Sequence, residues 1–578
     1  MSAAPGGLRI LLLCHSFNSL TQRLFAELRA RGHTVSVELD INDRVTEEAV
    51  ALFRPDLLLA PFLKRRIPAS VWQALTCLVV HPGPPGDQGP SALDWAVLRG
   101  ERTWGVTVLQ ANADFDAGPV WAHAAFAMRE ASKGSLYRRE VTQAALQATL
   151  AAVQRFGNGE RHGDAPPPAQ WRPAMRQADR AIDWARHGTA EVLARLRCAD
   201  GQPGVLDALW GHACHLGDGH AASAATMAAF AHAAPGEVLA VRDGALLRRT
   251  RDGGVWIGQA RRVADGAPGF KQAAADAFAT EALALPRLPV PLQRADDEWS
   301  ELRYTEHGPD GARVGCLRFD FHNGAMSIAR CERLRDALLE LRERPVRVLM
   351  LLGGEDFFSN GIDLNAIEAA AHRPGDSAAD ASWRHIQAMN DAALAVIETP
   401  DRLTVSVLRG NAGAGGAFLA LAADEVWAHG GVVLNPHYKN MGNLYGSEYW
   451  TYLLPRRLSE AGAKALMAQR LPLLAREAAA MGLIDHCDDG AREGFETRCL
   501  ERALALAASY NLPQRLAARQ ATRERDENLR PLAHHREQEL ARMHRNFYGF
   551  DPSYHVARHH FVHKVPHAWT PRHLALHR

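Results

Sequence analysis

The sequence predicts an α/β protein of several domains, and three observations carry that reading. An apolar run, an amphipathic helix-length stretch and a second apolar run follow one another within the first 40 residues, and an αβ pattern begins again near residue 300. Two polar stretches rich in Gly or Pro, GNGERHGDAPPPAQWRP and LPRLPVPLQRADDE, read as linkers between these regions. At 578 residues, the chain is also too long for one hydrophobic core.

Taken in order, LRILLLC predicts a strand, SLTQRLFAELRARG a helix stopped at Gly32, and HTVSVELD a second strand. The intervening turn CHSFNSL has no G-x-G-x-x-G, which disfavours a dinucleotide. DLLLAPF (56–62) ends at the edge of an expected pocket, where Phe62 and Lys64 stand. An apolar run ending in Val79–Val80 delivers His81, and the turn after VTVLQ (106–110) delivers Asp116. Ligands of open α/β sheets bind beyond the carboxyl ends of strands. An imidazole there can shuttle a proton while a carboxylate orients it. Taken singly, either residue is more often loop punctuation.

This first domain is expected over 1–155. From 176 to 285, a helix (TAEVLARLRCA) and short strand-like pieces with Gly-containing turns predict a small β domain. A third domain is expected over 300–510. It opens on a helix with Ile328, Cys331, Leu334, Leu338 and Leu341 at helical spacing behind Ser327 as N-cap. The apolar strand VRVLMLLGG, the helix WRHIQAMNDAALAVIETP, the strand RLTVSVLRG and the Gly/Ala-rich turn NAGAGGAFLALAAD follow. Residues 511–578 read as a charged helix and a histidine-rich tail.

Composition narrows the function. Lys plus Arg number 66 and Asp plus Glu 65, interspersed, so nucleic acid is not expected as a partner. The start MSAAPGGLRILLLC is too short for a membrane span and lacks a leader layout. The eight cysteines show no C-x-x-C spacing and predict reduced thiols in a cytoplasmic protein.

Between His81 and Trp121, the phrases HPG, GPS, LRGERTWGVTV and DAG resemble the formyl-tetrahydrofolate transferase and hydrolase family. The resemblance implies a Rossmann-like formyltransferase domain that takes N10-formyl-tetrahydrofolate. His81 and Asp116 would be catalytic, with Phe62, Lys64, Val79 and Asp114 about the folate. Val79 stands where that family has Asn, so one amide donor is missing. AIDW, QPG, APGEVLAVRDGAL and DGGVWI resemble the small β-barrel domain of methionyl-tRNA formyltransferase. A tRNA substrate is disfavoured, because the basic insertion of those enzymes is replaced by the acidic DINDRVTEEAV.

The third domain resembles the enoyl-CoA hydratase/isomerase (crotonase) fold. Its F-x-x-G-x-D turn and the Gly413–Gly416 turn imply an oxyanion hole from the amides of Ile362 and Gly415. Asn360, Gly361, Gly410 and Gly416 would lie about coenzyme A; the alternative is that these glycines serve tight packing. The hydratase carboxylates fall on Phe418 and near Pro436–His437, which disfavours water addition. VVLNPHYKNMGNLYGSEYW offers His437, Tyr438 and Glu448 instead as acid/base candidates, against an aromatic packing segment with a solvated Glu.

Both halves in this order, with NPHYKNMGNLYGSEYWTYLLPRR and NFYGFDPSYH, resemble the HypX/HoxX hydrogenase maturation proteins over nearly the whole chain. The resemblance implies that formyl passes from the folate to coenzyme A, and that formyl-CoA is decarbonylated. The carbon monoxide would serve the Fe(CO)(CN)2 centre of a [NiFe]-hydrogenase, with its maturation machinery as partner. Two alternatives stay open. One is a formyl-tetrahydrofolate hydrolase or transferase that releases no carbon monoxide. The other is a histidine-rich metal-binding chaperone using His555, His559 and His563, although no Cys or carboxylate completes a ligand set in sequence, so no metal is expected.

Overall fold

The computed structural model describes residues 7–263, 269–295 and 297–578; residues 1–6, part of the stretch read as leaderless, and Asp296 of the second linker lie outside them. The chain divides into two compact units. One comprises Met1–Leu239, Leu247–Val263 and Pro566–Arg578, the other Ala240–Leu246 and Ala264–Val565. The expected ranges 1–155, 176–285, 300–510 and 511–578 do not coincide with this division. The small β segment is shared between the units, and the last range is cut at Pro566.

In the first unit, a six-stranded sheet runs Thr34–Leu39, Arg9–Cys14, Leu57–Phe62, Cys77–His81, Thr103–Gln110, Val120–Ala127. The first four strands are parallel and the last two antiparallel. Its helix Ser19–Ala30 starts where the Asn18 side chain accepts the Thr21 N–H, and Gly32 (φ +87°) follows its end. A second, antiparallel set pairs His212–Ala221 with Gly254–Arg262 and with Val205–Leu209.

Residues Pro566–Arg578 close over the outer strand Thr34–Leu39. Leu574 C=O accepts the Val37 N–H at 2.9 Å. Glu38, fully buried, accepts from Thr570, from His577 Nε2 at 2.8 Å and from Arg578 Nε at 2.8 Å. Burial pushes this carboxyl up, but the hydrogen bonds from His577, Thr570 and Arg578 outweigh it and hold it below the usual range.

The second unit is built on a sheet of order Leu302–His307, Val314–Phe319, Val348–Gly353, Leu403–Leu408, Glu425–His429, His486–Asp488. All neighbours but the first pair are parallel. The apolar run Val348–Gly353 is continuous because both faces are covered. Leu349 and Leu351 join the core with helices Ile328–Glu340 and Ala378–Ile397, while Val348, Met350 and Leu352 meet helix Phe495–Ala508. A smaller sheet, Phe357–Ser359, Asn411–Gly413, Val433–Asn435 and Leu473–Leu474, lies past the strand ends and carries the glycine turns.

Removing one side of a buried ion pair typically costs about 3–5 kcal/mol. The double variant His577→Ala/Arg578→Ala should therefore lower the thermal midpoint of the first unit, and adding Glu38→Gln should restore much of the loss. Calorimetry of the three proteins checks this.

Candidate functional site

In the first unit, the strand Cys77–His81 ends on His81, whose ring is buried between two carboxylates. Nε2 donates to Asp87 Oδ2 at 2.9 Å, and Nδ1 faces Asp116 Oδ1 at 3.4 Å. Asp87 is buried and also accepts from Arg172 Nε. Asp116 has φ +54° and accepts the Gly89 N–H at 3.2 Å. With Nε2–H committed to Asp87, Nδ1 is the nitrogen turned toward Asp116. Gly83 must lack a side chain, because a Cβ there would lie 2.4 Å from His81 Nε2 and 2.5 Å from Asp87 Oδ2.

His81 closes the strand Cys77–His81, and Asp116 lies in the loop after the strand Thr103–Gln110. Cys77–His81 and Thr103–Gln110 are antiparallel, with His81 opposite Thr107, so their carboxyl ends point in opposite directions. Asp116 reaches the imidazole through the loop that follows Gln110.

Of the residues expected about the folate, Val79 is half-buried in the same strand and Phe62 lies edge-on to His15 and Tyr137. Lys64 and Asp114 are exposed; the Lys64 N–H reaches Asp40 Oδ2 at 3.5 Å, and the Asp114 N–H donates to Asn112. Asp87 and Arg172 were missed. Arg172 belongs to the stretch read as a linker, which instead forms a two-residue parallel pairing, Gln170–Trp171 against Asp87–Gln88. The signal for Asp87 was its place in the Pro/Gly turn HPGPPGDQG.

In the second unit, the two glycine turns abut. Gly361 (φ +79°) is so close to Gly415 that a Cβ would lie 3.2 Å from the Gly415 nitrogen. Gly415 opens the helix Gly415–Leu421, so its N–H has no acceptor within that helix. Ile362 pairs with Met326. Gly410 and Gly416 serve packing, since a Cβ at each would collide with the backbone of Asp356 and Ser359. Asn360 donates its side-chain N–H to Asn323 C=O at 2.8 Å.

Glu448 stands against this turn: a Cβ on Gly415 would be 2.8 Å from its Oε1. Its other oxygen is bonded to the Tyr438 hydroxyl, which also reaches Ser447 C=O at 3.1 Å. Tyr438 has one proton for two acceptors. An ionised Glu448 therefore accepts from Tyr438, whereas a protonated Glu448 donates to it and turns the phenol toward Ser447. Phe418 stacks on Tyr438 with centroids 5.3 Å apart and planes 7° off parallel. His437 is buried beside this pair in sequence, its N–H donating to Asn435 C=O.

Glu448 and Tyr449 both have φ +60°, a costly region for residues other than glycine. They are held by Asn390 Oδ1, which accepts the Glu448 N–H at 2.7 Å and the Ser447 hydroxyl at 3.0 Å, and by Glu539. Glu539, fully buried, accepts the N–H groups of Tyr449 (2.9 Å) and Thr451 (2.8 Å) and the Thr451 hydroxyl (2.7 Å). Burial raises Glu448 to about 7, opposed by hydrogen bonds from Tyr438 and Ser447. Burial, aided by the charge of Glu448, raises Glu539 to about 8 against its own hydrogen bonds. Glu539 was missed too, although Leu532, His535, Glu539, Met543 and Phe547 are spaced as one buried helical stripe.

In the tail, the three-histidine face is corrected. His555 is committed, donating from Nε2 to Phe547 C=O at 2.8 Å and accepting from Arg558 at Nδ1 at 2.7 Å. Against the expectation that no carboxylate completes a set, Glu368 joins His559 and His563.

Two family models match the chain. Residues 31–153 match the formyl transferase family model, and residues 317–572 match the enoyl-CoA hydratase/isomerase model. The hydrogenase maturation factor HoxX of Bradyrhizobium diazoefficiens is 52% identical, over 99% of this chain and 97% of that protein. The crystal structure of HypX from Aquifex aeolicus in complex with tetrahydrofolic acid matches with a TM-score of 0.93 at 43% identity, over 99% of both chains. A methionyl-tRNA formyltransferase of Desulfotalea psychrophila is 28% identical over 29% of this chain. Among the described residues, no helix is long and apolar enough to cross a membrane.

Because Glu448 and Glu539 bind protons more tightly folded than unfolded, their contribution to stability is complete below about pH 4.5 and is lost as pH rises toward 7 and 8. Within that window, each group should cost roughly 1.4 kcal/mol per pH unit. Urea midpoints of the second unit should fall from pH 5 to 8, and Glu539→Gln should flatten the slope.

Proposed function

The chain belongs to the HoxX/HypX family of hydrogenase maturation factors, and from that premise we propose that it makes carbon monoxide in two half-reactions. Formyl moves from N10-formyl-tetrahydrofolate to the thiol of coenzyme A, and formyl-CoA is then decarbonylated. The product would supply the Fe(CO)(CN)2 centre of a [NiFe]-hydrogenase in the cytoplasm, with other maturation proteins as partners. The complex of the Aquifex aeolicus protein with tetrahydrofolic acid supports folate as the formyl carrier.

In the first half-reaction, His81 takes the thiol proton at Nδ1 and returns it to the folate nitrogen as the C–N bond breaks. Asp116 stabilises the charged ring, and Asp87, held by Arg172, fixes its orientation. Val79 leaves out the amide donor of related transferases, so the formyl oxygen is polarised less on this side.

The observation that carries the second half-reaction is a buried Glu448 carboxyl against Gly415, hydrogen-bonded to Tyr438. A thioester carbonyl would take its hydrogen bonds from the amides of Ile362 and Gly415, next to the Glu448 carboxyl. Glu448 as carboxylate removes the formyl hydrogen as a proton, and the C–S bond breaks with its electron pair passing to sulfur. Carbon monoxide leaves, and Glu448 with Tyr438 returns the proton to the thiolate. Phe418 cannot exchange protons at the position where a hydratase carries a carboxylate, which suits a reaction that adds no water.

Trapping carbon monoxide with deoxyhaemoglobin tests this. Glu448→Gln should reduce its formation by roughly 10²–10⁴-fold while folate deformylation continues and formyl-CoA or formate accumulates. His81→Ala should stop both steps. In the parent protein, the rate should fall as pH drops through about 7, because the base must be ionised. Normal carbon monoxide output from Glu448→Gln would remove Glu448 from the chemistry, with His437 the next candidate. Val79→Asn should shift product toward formate.

A further inference from the structure

The geometry points to a binding site for a divalent transition-metal ion, formed by Glu368, His559 and His563 in the second unit. One ligand atom from each lies within 4.8 Å of the other two. Glu368 is on the helix Leu364–Ala370, and the histidines lie at i and i+4 on the helix Ser553–His563, one turn apart on the same face. Their rings are stacked with centroids 4.2 Å apart.

The cluster is partly set for coordination. His563 Nε2 lies 3.2 Å from Glu368 Oε1. Two ligands about 2.0–2.2 Å from a tetrahedral ion stand roughly 3.3 Å from each other, so this pair already has the needed spacing. Glu368 is buried and cannot swing away, because Arg558 Nε donates to its Oε2 at 2.7 Å. Arg558 in turn is steadied by His555. This is the outer-shell arrangement that orients a carboxylate ligand. His559 is exposed, so side-chain rotation brings its ring the remaining distance, and a fourth position stays open to water.

The donor set selects the ion. Two imidazoles and one carboxylate suit Zn²⁺, and also Ni²⁺ or Cu²⁺, whereas Mg²⁺ and Ca²⁺ require oxygen ligands. The charge balance agrees. Arg558 already offsets Glu368, so the site offers little net negative charge. An ion held by charge alone would not stay; one that bonds covalently to imidazole nitrogen would.

The test is calorimetric titration of Zn²⁺ into full-length, tag-free, chelator-treated protein. We expect one ion per chain in excess of any bound by the variants, and affinity about tenfold or more weaker in His559→Ala and in His563→Ala. His560→Ala, an exposed neighbour outside the cluster, should bind as the parent does. His559→Ala changes a solvent-facing side chain, so its melting curve should match the parent without metal. Replacing zinc with Co²⁺ should give visible d–d absorption that His563→Ala lacks. Identical zinc isotherms for parent and His559→Ala, or loss of affinity in His560→Ala equal to that in His559→Ala, would overturn the assignment.

Discussion

The second site depends on a carboxyl group that never touches water. Glu539 gathers three donors from residues 449–451, and those bonds hold the chain in two successive left-handed conformations. Only that path turns the Glu448 side chain back onto Gly415 while leaving Tyr438 within reach of its second oxygen. The strain at residues 448 and 449, of order 1–3 kcal/mol each, is offset by bonds from an element about 90 residues later in the chain. The helix Leu532–Tyr548 is therefore part of what positions Glu448. Besides Glu539, it supplies Asn546 Oδ1 to the Tyr445 N–H and the Met543 sulfur to the Gly446 N–H.

The same logic appears in the first unit on a smaller scale. His81 has one partner per ring nitrogen, and each partner has its own support: Arg172 for Asp87, the Gly89 N–H for Asp116. In both units, the candidate group comes from a strand end or turn that the sequence makes conspicuous, and the groups that hold it come from segments that carry no motif. A stretch rich in proline and glycine supplies Arg172, and a charged helix supplies Glu539.

That asymmetry explains what could be read from the chain. The strand–helix–strand alternation, the Ser327 cap and the two-faced apolar strand Val348–Gly353 follow from local periodicity, and the structure has them. His81, Asp116, Gly361, Gly415, Tyr438 and Glu448 were legible because they sit in motifs. The structure brings them together as two clusters, each within one unit. Asp87, Arg172 and Glu539 were not, since their positions depend on pairings between distant segments. Strand direction was hidden for the same reason: nothing in VTVLQ tells a parallel neighbour from an antiparallel one. At Gly410 and Gly416, close packing against the backbone of Asp356 and Ser359 by itself requires glycine.

The closure of Glu38 by Thr570, His577 and Arg578 has a consequence for synthesis. The contacts span more than 530 residues of sequence, and at ribosomal speeds of 5–20 residues per second that interval lasts roughly half a minute to two minutes. Throughout it, the nascent first sheet holds an acidic group at its outer strand with no cation to answer it. The strand Thr34–Leu39 is left as an open edge, where another chain can pair. A chain that ends before residue 570 therefore lacks every one of the contacts that residues 570–578 make with this strand.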